Sequence, residues 1–180
     1  MSYTLPESER RLVEKCQQKD RSAQRQLFLN YKDAMYTILL RMLNDPEEAT
    51  DALQETFINV FNGIQAYGFR SAIGAWIKTI AVRKGIEFQR KSNRFMTVQI
   101  DAEEQGPVIW PENMTSEALE LALARLSSGY RTVFLLVEVE GYTHKEVASM
   151  LGISEGTSKS QLYHAKKSLQ KFLEGHQYTS

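Results

Sequence analysis

The length and charge of the chain exclude several classes of protein. It has 180 residues, and lysine plus arginine equals aspartate plus glutamate at 22 each, which argues against a uniformly basic nucleic-acid coat and against an acidic tail. Cys16 is the only cysteine, which excludes an internal disulfide and the cysteine-rich zinc modules and fits a reducing compartment. No segment approaches the roughly 20 apolar residues of a membrane span, so we expect a soluble, cytoplasmic protein.

The first half of the chain shows the apolar spacing of helices. Residues 7–31 predict two helices with a break near Asp20, and the apolar stripe over 32–43 ends at an Asn-Asp-Pro sequence that stops one helix and begins the next. The next predicted helix, which begins at Pro46 and ends at Gly63, has an acidic face on one side and an apolar face on the other. A last stripe places Trp76 in the core and continues into the basic stretch 89–94. We expect one domain of four helices.

Helical periodicity disappears between Phe95 and Ser116, where prolines, a glycine and several acids appear. It returns from Glu117 onward and predicts a second, smaller domain of four helices. The expected fold class is therefore all-α, with two small helical domains joined by a flexible acidic linker. The predicted boundaries are 1–95, 96–116 for the linker, and 117–180.

A helix-turn-helix is predicted near the end of the chain. Thr143 and Glu146 have the spacing of a capping box, Gly152 ends that helix, and Ser154 can cap the next one. One face of the second helix carries short polar and cationic groups that can touch phosphates and base edges in a major groove: Thr157, Lys159, Ser160, Tyr163, His164 and Lys167. Spacing alone also allows an ordinary helical hairpin with a solvated face.

The residues around this pair of helices resemble region four of the extracytoplasmic-function sigma factors. The similar segments are 129–134, 140–148 and 151–160, which read GYRTVF, EGYTHKEVA and LGISEGTSKS. The resemblance implies that the second helix reads the minus-35 promoter element, with base-reading candidates at Lys159, Ser160, Tyr163 and His164.

Residues 51–57, DALQETF, are similar to the region-two motif of the same family, which docks on the clamp of RNA polymerase. Asp51 and Glu55 are four residues apart and share a helical face, where they could meet cationic groups of a partner or simply be solvated. The resemblance assigns polymerase contacts to Asp51, Gln54, Glu55 and Phe57.

The helix that begins near Ala75 combines basic side chains with aromatic ones, a combination that suits single-stranded or melting DNA. Taken alone, the same helix could be core residues with solvated cations. The resemblance implies that this helix and the loop before it capture the minus-10 element, with candidates Arg70, Ser71, Lys78, Arg83 and Lys84. Two positions depart from the family: its Phe-Arg-Gly-acid loop appears as Tyr67-Gly68-Phe69-Arg70, and Arg83 replaces a common asparagine.

Taken together, the resemblance implies a sigma factor that binds core RNA polymerase and directs promoter-specific transcription without being an enzyme. Its implied partners are core RNA polymerase, promoter DNA and an anti-sigma factor. No small-molecule substrate or cofactor is expected, and no metal either, because His144 and His164 lie on different predicted helices. The alternative is a stand-alone dimeric helix-turn-helix regulator, which leaves the motif at 51–57 unexplained. A small helical enzyme lacks an evident nucleophile or phosphate loop.

Overall fold

The computed structural model describes residues 6–92 and 115–176, and within these ranges all regular structure is helical. Most of the predicted linker lies outside the described residues. A short 3-10 turn, Ile64–Ala66, follows α3, and a π-helical segment, Leu135–Val139, follows α6. The α-helices are α1 (Glu7–Gln17), α2 (Arg21–Leu43), α3 (Pro46–Gly63), α4 (Ile73–Lys91), α5 (Ser116–Arg125), α6 (Ser128–Phe134), α7 (His144–Leu151) and α8 (Glu155–His176).

The chain forms two compact units, the first ending at Phe88 and the second beginning at Gln89. The predicted all-α class is confirmed. The domain boundaries inferred from the sequence, at 95 and 117, stay predictions.

Capping residues determine where the long helices of the first unit begin. The Asp20 carboxylate accepts a hydrogen bond from the backbone N–H of Ala23 at 3.0 Å, which starts α2. Asn44 ends that helix in the left-handed conformation, with φ of 55°. Asp45 then caps α3 by accepting from the backbone N–H groups of Glu47 and Glu48 at 2.9 and 3.0 Å. Pro46 is the first helical residue, where its missing N–H costs nothing.

The core of the first unit is built from one apolar stripe of each helix, and its fully buried side chains include Val13, Leu27, Leu39, Val60 and Ile77. The prediction that Trp76 belongs to this core is only partly right. Its indole is half-buried and packs against the edge of the core. Ile73, Ile77 and Ala81, spaced four residues apart on one stripe of α4, belong to the main core cluster of this unit.

The second unit contains the predicted helix-turn-helix. Thr143 and Glu146 form a complete capping box at the start of α7. Gly152 ends α7 with φ of 70°, a left-handed conformation that glycine adopts without steric cost. Ser154 Oγ accepts a hydrogen bond from the backbone N–H of Thr157 at 2.9 Å, which caps α8. Ala165 and Leu169 are fully buried on the inner face of α8.

Gln161 lies on that inner face and is fully buried, and neither its amide oxygen nor its nitrogen finds a hydrogen-bond partner among the described residues. Burying an amide without partners costs free energy that an apolar side chain of similar size would not lose. We therefore expect Gln161→Met to raise the free energy of unfolding by about 1–2 kcal/mol. Urea unfolding of the full chain, followed by circular dichroism, measures the change.

The matched control is Gln18→Met, because Gln18 is exposed just beyond the end of α1. That substitution should change stability by less than about 0.5 kcal/mol. If Gln161→Met destabilises the chain, the buried amide makes a favourable interaction that its position in the fold does not reveal.

Candidate nucleic-acid interface

The predicted DNA-reading face of α8 is partly open to solvent. Lys159 is exposed, and the other five candidates are half-buried: Thr157, Ser160, Tyr163, His164 and Lys167. The hydroxyl of Thr157 lies 2.9 Å from Ser154 Oγ. Thr157 therefore helps to form the N-terminus of α8, where backbone N–H groups point outward and favour an anion such as a phosphate.

An aromatic cluster occupies the middle of this face. The ring of His164 stacks on Tyr130 of α6 with centroids 6.1 Å apart and planes inclined by 17°. Tyr163 meets the same imidazole edge-on at 5.4 Å. Lys167 Nζ lies 5.7 Å from the centre of the Tyr163 ring, within the range of a cation–π interaction. Three of the candidates are therefore held as one group.

Tyr130 was not among the candidate residues, although it belongs to the similar segment 129–134. Burial raises the pKa of its phenol. The signal that could have found it is that motif itself, because helical spacing within α8 says nothing about a side chain contributed by α6.

A polar contact fixes the two helices of the helix-turn-helix against each other. His144 Nδ1 at the start of α7 and the fully buried Ser158 Oγ of α8 share a hydrogen bond of 2.9 Å. Burial lowers the pKa of His144, and the nearby cations Lys159 and Lys166 lower it further, while Glu138 and Glu155 act in the opposite direction. The fold therefore favours the neutral imidazole.

This preference makes the stability of the chain depend on pH. Because the pKa of His144 is lower in the folded state, its stabilisation is complete above the ordinary value of 6.5 and is lost as the pH falls below that value. We expect the free energy of unfolding to decline between about pH 7.5 and 5.5, and His144→Gln, which does not titrate, to flatten this dependence. Urea unfolding at several pH values measures both slopes.

The pKa of Glu146 is also lowered, by its hydrogen bonds to Thr143, but it acts around and below its ordinary value of 4.5. A measurement confined to pH values above about 5.5 therefore separates the histidine from this carboxylate. Equal slopes for the wild-type chain and His144→Gln would contradict the prediction.

The candidates for polymerase binding on α3 do not all reach the surface. Asp51 and Gln54 are exposed and Glu55 is half-buried, so these three can meet a partner. Phe57 is only 4% exposed and its ring packs edge-on against Phe28 with centroids 4.8 Å apart. The assignment of Phe57 as a direct contact is therefore corrected: it is a core residue that holds α3 in place.

Ile58 was missed among the residues of this helix. It is 58% exposed and lies one turn beyond Gln54, so the outward face of α3 combines carboxylates with an apolar residue. Helical spacing could have found it, because Ile58 follows Gln54 by four residues and so falls on the same side of the helix as the acidic candidates.

The candidates for the minus-10 element fall into two groups. Arg70, Ser71 and Arg83 are exposed. Lys78 is half-buried, and the side chain of Lys84 is only 15% exposed. Arg70 and Arg83 are therefore accessible to a DNA strand without any change in the core.

Lys84, a candidate for DNA binding, pairs with Glu55, a candidate for polymerase binding. Its Nζ donates to Glu87 at 2.7 Å and to Glu55 of α3 at 3.1 Å. The hydrogen bond to Glu87, followed by that to Glu55, raises the pKa of the lysine although burial opposes the shift. Lys84 thus fixes α4 against α3 and partly neutralises Glu55, and its position does not favour the role of a DNA contact.

The described residues show neither a metal site nor a membrane span. No group of three or more histidine, cysteine or acidic side chains in residues 6–92 and 115–174 could hold a metal ion. None of the helices in this part of the chain is long and apolar enough to cross a membrane.

Both units match family models. The model for sigma-70 region 2 matches residues 27–95, and the model for sigma-70 region 4 matches residues 116–169. The curated relatives include the ECF RNA polymerase sigma factor SigM of Mycobacterium tuberculosis, which is 28% identical over 86% of this chain and 79% of its own length. SigE of Mycolicibacterium smegmatis is 26% identical over 84% of this chain, which spans 62% of that relative. YlaC of Bacillus subtilis is 27% identical over 85% of this chain and 93% of its own length.

Two solved structures share the fold. CnrH in complex with the cytosolic domain of CnrY has a TM-score of 0.56 and 21% identity, over 94% of this chain and 99% of that one. RpoE of Bartonella quintana in complex with the anti-sigma factor NepR has a TM-score of 0.57 and 21% identity, over 83% of this chain and 96% of that one.

An acidic helix in one unit and a helix-turn-helix in the other, each matched by its own family model, define a sigma-70 type factor. More narrowly, the chain belongs to the extracytoplasmic-function sigma factors, alternative sigma factors that direct transcription together with core RNA polymerase and promoter DNA.

Proposed function

We propose that the two units divide the work of promoter recognition between three surfaces. The outward face of α3 binds core RNA polymerase, the basic side of α4 with the loop before it binds the melted minus-10 element, and the outward face of α8 reads the minus-35 element. The observation that carries this proposal is that each matched region presents its exposed charged residues on a helix whose other side is core.

The composition of α3 supports the polymerase assignment. Asp51, Gln54 and Ile58 recur at spacings of three and four residues, so these exposed side chains lie along one side of the helix. Carboxylates suit arginine and lysine of a partner, and an exposed isoleucine between polar groups suits an apolar contact at the centre of an interface.

Charge and accessibility support the assignments to DNA. Arg70 and Arg83 are exposed, and α8 carries the exposed Lys159 together with the Tyr163–His164 pair. Cations contact phosphates without regard to sequence, whereas lysine, serine and aromatic groups in the major groove can contact base edges. The near-neutral net charge of the chain predicts weak binding to duplex DNA in the absence of polymerase.

The proposal extends to the partners and location of the chain. An anti-sigma factor is a further partner, in keeping with the RpoE relative that was solved together with NepR. Such a partner would cover the polymerase-binding or DNA-binding faces. The chain acts in the cytoplasm with polymerase and is not an enzyme, because promoter recognition requires binding surfaces and no chemical step of its own.

A two-part experiment tests the proposal. The purified chain is used to capture bacterial core RNA polymerase, and run-off transcription from a promoter library is then compared with and without the chain. We expect polymerase capture and a restricted set of transcripts that depends on the chain. Tight dimeric binding to a palindromic duplex, with no capture of polymerase, would refute it and indicate a stand-alone regulator.

A further inference from the structure

The loop between the 3-10 turn and α4 has an unusual backbone. Phe69 adopts a positive φ of 56°, the left-handed conformation that residues with a β-carbon avoid. A residue held in this conformation needs contacts that offset its cost. The exposed Arg70 and Ser71 follow directly, so the conformation of Phe69 determines where these two DNA candidates point.

Helix α1 supplies one set of these contacts through its last residue. The Gln17 amide donates hydrogen bonds to the backbone carbonyls of Ile64 at 2.9 Å and Tyr67 at 3.2 Å. In return, the Gln65 amide donates to the backbone carbonyl of Gln17. The end of α1 is therefore tied to both the 3-10 turn and the first residue of the loop.

The same helix contacts the loop a second time, two turns earlier. The Arg10 guanidinium lies 4.8 Å from the centre of the Phe69 ring, the geometry of a cation–π interaction. Phe69 packs on Tyr67 at 5.1 Å, and Tyr67 packs on Trp76 of α4 at 5.3 Å. A chain of rings thus joins Arg10 to α4.

Tyr67 closes the loop from inside. Tyr67 is 5% exposed, and its hydroxyl donates to the backbone carbonyl of Ser71. Both ends of the segment 67–71 are therefore fixed to each other, while Gln17 and Arg10 fix it to α1.

We propose that α1 is a positioning element for the loop 67–71, and that Arg10 and Gln17 are positioning residues that hold Arg70 in the orientation that captures melted promoter DNA. This inference rests on the proposed role of the loop at the minus-10 element. It gives α1 a part in promoter opening, although no residue of that helix was predicted to contact DNA.

The test compares Arg10→Ala with Arg11→Ala in the full chain bound to core RNA polymerase, on a promoter selected from a randomised library. Arg11 is the matched control because its guanidinium is exposed and pairs with Glu7 on its own helix at 2.8 Å. We expect Arg10→Ala to slow open-complex formation about fivefold, with unchanged affinity for core polymerase. Arg10→Lys should restore part of the rate, since it keeps a cation over the ring, and Arg10→Met should not.

Hydrogen exchange of the free chain provides a measurement that does not depend on DNA. Arg10→Ala and Gln17→Ala should accelerate exchange of the amides in 64–72, whereas Arg11→Ala and Gln18→Ala should leave them unchanged. Unchanged exchange in the Arg10 and Gln17 variants, or the same change in the controls, would overturn the inference.

Arg70→Ala distinguishes a failure of the proposed minus-10 role from a failure of the contact between α1 and the loop. We expect this variant to form open complexes more slowly than the wild-type chain. If Arg70→Ala forms open complexes at the normal rate while Arg10→Ala still loosens the loop, the role of the loop in promoter capture fails and the contact between α1 and the loop stands.

Discussion

Replacing Asp51 and Glu55 together by lysine is expected to weaken binding to core RNA polymerase by about 2 kcal/mol, roughly thirtyfold. Both carboxylates lie on the outward side of α3, so the double variant presents cations where we propose that a cationic partner surface binds. Glu55 already pairs with Lys84, whose Nζ lies 3.1 Å from the Glu55 carboxylate and also pairs with Glu87. Asp51 is exposed. Asp51→Lys alone should therefore account for more of the loss than Glu55→Gln alone. Fluorescence anisotropy of labelled chain titrated with core polymerase measures the affinities.

The matched control carries the same change in net charge elsewhere. Glu14→Lys and Glu117→Lys alter exposed acids on α1 and α5, and the double control should bind polymerase within about twofold of wild type. An equal loss in both variants would show that net charge, rather than this face, governs the affinity. A loss of helical circular dichroism in the α3 variant would make Asp51 and Glu55 structural residues.

Lys159→Ala is expected to reduce promoter-specific transcription about tenfold while core polymerase binding is unchanged. Lys159 is exposed near the start of α8, where its ammonium group can reach a phosphate or a base edge. If it contacts a phosphate, the salt dependence of promoter binding should fall by about one unit and all promoters should weaken alike. If it contacts a base, the loss should depend on the sequence of the upstream element. Run-off transcription over a promoter library at two salt concentrations distinguishes the two cases.

Lys171→Ala is the control for this prediction, because Lys171 is also exposed on α8, about three turns further along the helix. It should change transcription by less than about twofold. If Lys159→Ala also weakened polymerase binding to the same extent, Lys159 would be assigned to the polymerase-binding surface and not to the DNA-reading face.

Local signals made much of the fold predictable. The capping box at Thr143 and Glu146, the left-handed Gly152 and the cap at Ser154 each depend on residues within four positions of one another. Asp45 and Pro46 mark a boundary in the same way. These interactions are decided by the chain next to them, so their sequence patterns carry over directly to structure.

Contacts between distant segments were not predictable in this way. Phe57 occupies an ordinary motif position, and only its packing on Phe28 of another helix shows that it is buried. In the sequence Lys84 is one more cation of a basic helix, and only the folded structure places Glu55, 29 positions earlier, beside it. Tyr130 and His164 likewise come together across two helices. Helical periodicity gives the face of a residue but not the element opposite it.

The thiol of Cys16 has a practical consequence. It is fully buried, and burial, with a smaller effect of Asp20, raises its pKa to about 11. At pH 8 roughly one molecule in a thousand would carry the thiolate, the form that reacts with maleimides and disulfides. A cysteine introduced at an exposed position can therefore be labelled selectively in the presence of the native one. Two such cysteines, one in each unit, would carry a fluorophore pair that reports the distance between the units during promoter binding.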